Sequence, residues 1–178
     1  MRDPTIARNY AEALFELGEQ HGETERYVDL IDALVFAFET EPSVRTAIES
    51  PQVPRELKVK ILNQALDAFA PDRFIRFLAA VVKRGRQNLL PLIGSVYGEL
   101  LDDKLNRLRA SVTLAREPDA ALREAVRRKL SEAMGKEVLP QFRTDPAILG
   151  GVILRMRDRI IDGSLRRRMM RLRRQLLS

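Results

Sequence analysis

A chain of 178 residues with 45% hydrophobic residues can bury one substantial core or two smaller ones, and its lack of any cysteine excludes a disulfide framework and thiolate metal sites, which suits a reducing cytoplasm. No apolar run approaches the roughly 20 residues of a membrane-spanning helix, and the opening MRDPTIARNYAEALF lacks the layout of a secretory signal, so a soluble or peripheral protein is expected. The net charge of +6 is not spread over the chain: residues 155–178 hold nine Arg and two Asp, a net of +7, leaving −1 for the first 154.

Residues 1–108 read as helices, because apolar positions recur every three or four residues between breaks that carry Pro or Gly. Ile6, Tyr10, Leu14 and Leu17 form a first stripe, closed by His21-Gly22; Val28, Ile31, Val35 and Phe38 form a second. Pro42 opens a short third helix. Pro54 and Pro71 suit the first turns of a fourth (Leu57, Ile61, Ala65, Phe69) and a fifth (Phe74, Leu78, Val81, Val82), which Gly85 ends. Leu89, Ile93, Val96 and Leu100 begin a sixth that extends towards Leu105 and Leu108. The pattern predicts a mainly α protein that starts with a six-helix bundle.

Near Ala110 the period turns to alternation, which marks a strand and a boundary between domains 1–108 and 109–178. Pro118-Asp119 start a helix through Leu122, Val126, Leu130 and Met134, and Gly135 stops it. A strand over 137–143 follows, then Gly150-Gly151, a VILRM strand, a turn at Arg157-Asp158 and a returning RIID. Ser164 caps a last helix with Leu165, Met169, Leu172 and Leu176 as its apolar stripe and six Arg over its other faces. This second, α+β domain of about 70 residues has a marginal core and is expected to lean on a partner.

Nothing here reads as an active site. No phosphate loop, dinucleotide glycine pattern, nucleophile elbow or zinc spacing is present, so no catalytic, cofactor-binding or metal residue is expected. His21, the sole histidine, reads as a solvated terminal residue, and Asp102-Asp103 as a solvated face. Gly150-Gly151 precede a strand rather than a helix, which favours a tight backbone approach over phosphate binding. The Arg-rich last helix fits an acidic protein surface, anionic lipid or nucleic acid, and equally a solvated face packed on the hairpin by its Leu stripe.

Three stretches together resemble the delta subunit family of bacterial ATP synthases and its mitochondrial counterpart, the oligomycin-sensitivity-conferring protein. They are IARNYAEALFELG, FIRFLAAVVKRGRQNLLPLI and DPAILGGVILRMRDRIIDGSLRRRMMRLRRQL. The last carries the family pattern at Asp145, Pro146, Gly150, Gly151 and Arg155, then Asp158 and the run Asp162, Gly163, Ser164. Arg157 departs from it, since many relatives have Gly before the hairpin Asp; a turn needing positive φ would cost about 1 kcal/mol in a non-Gly residue. The resemblance implies a non-catalytic stator subunit, one copy per complex, without a cofactor, on the cytoplasmic face of the bacterial plasma membrane. The implied partners are the N-terminal helix of an alpha subunit, in a groove between the first and fifth helices, and the ends of b-type stalk subunits on the C-terminal domain. Groove candidates are Tyr10, Ala13, Leu14, Leu17, Ile75, Leu78 and Val82, each equally readable as core; candidate stalk contacts are Arg167, Arg171 and Arg174. The alternative is a nucleic-acid-binding protein that uses the terminal helix.

Overall fold

A computed structural model describes residues 4–157 and 159–177, with side chains through residue 175. The chain is mainly helical with one small sheet, and it divides into two units, Met1–Leu101 and Asp102–Ser178.

In the first unit, α1 (Pro4–His21), α2 (Thr24–Thr40), α3 (Pro42–Glu49), α4 (Arg55–Leu66) and α5 (Asp72–Lys83) lead through a 3₁₀ turn, Gln87–Leu89, into α6 (Leu90–Lys104). Helical spacing sets what each buries: Ala7, Tyr10, Ala11 and Leu14 from α1, Tyr27, Ile31, Leu34 and Phe38 from α2, Phe74, Leu78, Val81 and Val82 from α5. Tyr27 and Phe74 lie at the centre, both fully buried, with ring centroids 5.3 Å apart. The buried Tyr97 hydroxyl donates to the Thr24 carbonyl at 2.9 Å, and Tyr27 donates to Glu23 at 2.9 Å, so both phenols keep a polar partner. Burial, with Glu23 beside it, pushes the Tyr27 phenol up to about 12.

The stripe expected on the fourth helix is on the wrong face. Leu57, Ile61 and Ala65 are exposed and Phe69 lies beyond the helix, 70% exposed; Lys58 and Leu62 are buried instead, with Val59 and Leu66 packed beside them. Lys58 buries its methylene stem as an apolar residue would, which a polar/apolar count of the sequence conceals.

The sixth helix is shorter than expected. Asn106 adopts φ 52°, a left-handed conformation that Asn tolerates, so α6 stops at Lys104 and Leu108 falls in a strand. Here β1 (Arg107–Leu114) begins the second unit's sheet, and α7 (Ala120–Met134) crosses over to β2 (Glu137–Thr144), parallel to β1 from Arg107↔Glu137 to Leu114↔Thr144. Asp119 accepts the Leu122 amide at 2.7 Å as the N-cap of α7, and Gly135 closes it at φ 64°. A 3₁₀ turn, Pro146–Ile148, leads to β3 (Val152–Met156), antiparallel to β1, and to its hairpin partner β4 (Arg159–Asp162), giving the order β2-β1-β3-β4. Pro140 sits in β2, an edge strand, where a missing amide is tolerated. The buried cluster of this unit is thin: Ala110, Val138 and Met156, with Leu108 and Leu130 against it.

The solvated face expected at Asp102-Asp103 holds for Asp103, which is exposed, and not for Asp102. Asp102 is 7% exposed and accepts from Arg109 at 2.7 Å, tying the end of α6 to β1. Asp103 accepts from Arg157 at 2.5 Å and lies 3.6 Å from Lys136. Arg157 itself stands at φ 47°, so the hairpin does require a positive φ, and its bond to Asp103 offsets that strain of about 1 kcal/mol. The Arg157 hydrogen bond and charge hold the Asp103 carboxyl below its ordinary value despite desolvation. A depressed native value stabilises above the unfolded carboxylate pKa of about 3.9 and is lost as pH falls through the native one. In Asp103→Asn, we therefore expect a loss of at most about 1 kcal/mol at neutral pH, the pair being half exposed, and a shallower acid-unfolding slope below about pH 4. A slope unchanged from the parent would remove the pair from the account of acid stability.

Candidate docking surfaces

Among the described residues no group of His, Asp and Glu could hold a metal, and His21 is exposed at the end of α1. The chemistry available is that of surfaces, taken unit by unit.

Of the seven groove candidates, Leu14, Leu78 and Val82 are fully buried core, Ile75 and Tyr10 are 7% and 9% exposed, Leu17 is partly buried, and Ala13 is exposed. The set is therefore mostly core, with only Ala13 exposed. Tyr10 lies at its margin, its ring edge-on to Phe77 at 6.1 Å and its hydroxyl accepting from both Arg84 and Arg86 at 3.3 Å. Burial would push that phenol up, but hydrogen bonds and charge from the two guanidinium groups outweigh it and hold the phenol below the ordinary tyrosine value. The sequence reading did not tie Arg84 and Phe77 to Tyr10, and read Arg86 only as part of a helix break, because nothing local links them to a residue more than sixty positions away.

The second unit gathers the motif residues around the start of α8 (Leu165–Leu177). Asp145 accepts the Ala147 amide at 2.9 Å and Pro146 opens the 3₁₀ turn. The Gly150 carbonyl accepts the Leu165 amide at 3.0 Å and the Val152 carbonyl accepts the Gly163 amide at 2.9 Å, so β3 holds the entry to α8 by backbone bonds. Gly151 stands at φ 79° where an added Cβ would overlap the Gly163 carbonyl oxygen: this is the tight backbone approach expected of the glycine pair. Asp162 accepts the Ser164 amide at 2.9 Å, and the Ser164 hydroxyl accepts the Arg167 amide at 3.2 Å as the helix cap. Arg155 is exposed on β3, and Asp158 lies outside the described residues.

Of the readings open for α8, packing of its stripe on the hairpin is the one the structure disfavours. Leu165, Met169 and Leu172 are 46%, 61% and 53% exposed, and Leu176 has no described side chain. Ile160 and Ile161, which point to opposite faces of β4, are both exposed, so neither face of that strand is covered by the stripe. Arg167, Arg168, Arg171 and Arg174 line an open concavity of about 810 Å³ along this helix.

The model of the family described as "ATP synthase delta (OSCP) subunit" matches residues 6–176. ATP synthase subunit delta of Gemmatimonas aurantiaca is 39% identical over 172 residues, 97% of this chain and 93% of that one. The subunit delta of Anaeromyxobacter dehalogenans is 35% identical over 173 residues, 97% of each. A chain in the cryo-EM structure of the Toxoplasma gondii mitochondrial ATP synthase hexamer shares the fold at a TM-score of 0.73 and 19% identity, over 97% of this chain and 98% of that one.

Proposed function

Because this chain belongs to the ATP synthase delta (OSCP) family, the non-catalytic component of the peripheral stalk, we propose that it is the link that stops the catalytic head from turning with the rotor. The six helices of the first unit act as a bundle that receives the N-terminal helix of an alpha subunit on the α1/α5 face, through Tyr10, Ala13 and Leu17, with Leu14, Ile75, Leu78 and Val82 beneath. The α+β unit grips the ends of the b-type stalk subunits. One copy serves each complex, at the cytoplasmic face of the bacterial plasma membrane. Its chemistry is affinity: a static link has to bind tightly at both ends and react with nothing.

The observation that supports this reading most directly is α8, whose apolar stripe stays exposed between arginines, a surface made for an acidic amphipathic partner. Mixed with the soluble part of the b-type stalk subunits, the full chain should form a complex whose affinity falls with salt. Changing Arg167, Arg171 and Arg174 to Glu should weaken that complex by at least about tenfold and leave binding of an alpha-subunit N-terminal peptide unchanged. Stalk affinity indifferent to both salt and these changes would remove α8 from the interface.

A further inference from the structure

Arg84 and Arg86 tie the end of α5 to α1 through a single phenol. Gly85, at φ 67°, turns the chain at the end of α5 so that the residues on either side of it converge on one atom, the Tyr10 hydroxyl of α1. Several other arginines of this unit meet carboxylates: Arg8 with Glu12 at 3.0 Å, Arg73 and Arg26 with Glu23 at 3.7 and 3.6 Å. Among the described residues neither Arg84 nor Arg86 has a carboxylate partner; each bonds only to the neutral phenol, and Arg86 also stands over its ring at 5.6 Å. Two guanidinium groups drawn to one point repel each other, and a phenol compensates them poorly.

The Tyr10 oxygen accepts from both arginines, which leaves its own hydrogen to donate to something else. The ring is already fixed edge-on by Phe77, so ordering these donors adds little entropic cost when an acceptor arrives. Arg55 adds further positive charge beside them, its guanidinium donating to the Lys83 carbonyl at 3.0 Å. The missing component is a negative oxygen.

We propose that Arg84, Arg86 and the Tyr10 hydroxyl form a receptor for one carboxylate of the docking helix, which fixes the register of that helix along the α1/α5 face. The proposal rests on the reading that this face receives the alpha-subunit N-terminal helix. A side-chain carboxylate suits the site better than a lipid phosphate, because the neighbouring surface includes exposed Ala13 and the partly buried Leu17 and Phe77, a mixture that an acidic amphipathic helix matches along its length.

The test uses the full chain and a synthetic peptide of about the first 20 residues of the alpha subunit from the same source. Arg84→Gln with Arg86→Gln should weaken the peptide by at least about tenfold, and Tyr10→Phe by a smaller factor, with the circular dichroism and melting of each variant reported alongside. Peptides with their acidic residues changed singly to the corresponding amides complete a double-mutant cycle. One of them should lose as much affinity for the parent chain as the arginine variant does for the parent peptide, and should lose little more when both changes are combined. That coupling is a signature that mere loss of folding cannot produce. If the parent binds the peptide and the arginine variant binds it equally well, the receptor is wrong and the docking face stands. If the arginine changes reduce binding to anionic phosphatidylglycerol vesicles and not to the peptide, the acceptor is a lipid and the proposal falls. If the parent does not bind the peptide at all, the docking face and the receptor fall together.

Discussion

Phe74→Ala is expected to cost the helical unit about 3–5 kcal/mol, a large fraction of the roughly 5–15 kcal/mol that an ordinary domain has to lose. Phe74 is fully buried and its ring tilts against Tyr27 at 5.3 Å. Truncation removes the apolar area of the ring, leaves a void, and takes away the partner that Tyr27 packs on. Tyr27 cannot follow the void, because its hydroxyl is held by Glu23 at the same time. Phe74→Leu, which conserves most of the volume, should cost under about 1.5 kcal/mol. Chemical denaturation of both variants measures the contrast; equal costs would mean that this core collapses around vacancies and is not tightly packed.

Gly151→Ala is the second large effect, about 2–4 kcal/mol on the C-terminal unit, and it combines two penalties that a control can separate. At φ 79° any Cβ is strained, and at this position it also overlaps the carbonyl of Gly163. Gly22 has nearly the same backbone, φ 67°, with nothing within 4 Å of an added Cβ, so Gly22→Ala carries the strain alone, about 1 kcal/mol. The difference between the two melts isolates the contact between backbone and Cβ. Equal losses would mean that the junction between β3 and α8 yields freely, and its motif would then have to be explained some other way.

How much of this was legible in the sequence depends on what kind of information each feature needs. The stripe of α5 follows from period alone, as do the change to alternation in β1 and the caps at Asp119 and Ser164; those of α1 and α2 follow only in part, since Tyr10, Leu14, Ile31 and Phe38 are buried as expected while Ala7, Ala11, Tyr27 and Leu34 are buried in preference to Ile6, Leu17, Val28 and Val35. The face of α4 was misread because two apolar rows compete on that helix and a lysine stem, invisible to a polarity count, decides between them. The end of α6 turned on one asparagine whose left-handed conformation no periodicity records. On α8 the spacing located an apolar row but left open whether it packs, since a stripe has the same spacing whether or not anything lies against it. The burial of Asp102 and the ion pairs of Asp103 escape the sequence because their partners come from β1 (Arg109) and from two separate turns (Lys136 and Arg157). The convergence of Arg84 and Arg86 on Tyr10 is of the same kind: tertiary geometry alone brings them together.

The two backbone bonds that join β3 to the entry of α8 also define a path for force. A pull on α8 reaches β4 along the chain through Gly163-Ser164, and through carbonyl oxygens it also reaches Val152 of β3 and Gly150 just before it; from β3 it passes sideways into the β1 ladder and on to the eight-pair β1–β2 ladder. Every link in that sequence is main chain. Side chains on α8 are thus free to vary with whatever they grip, while the strength of the coupling resides in peptide groups, which no substitution other than proline removes.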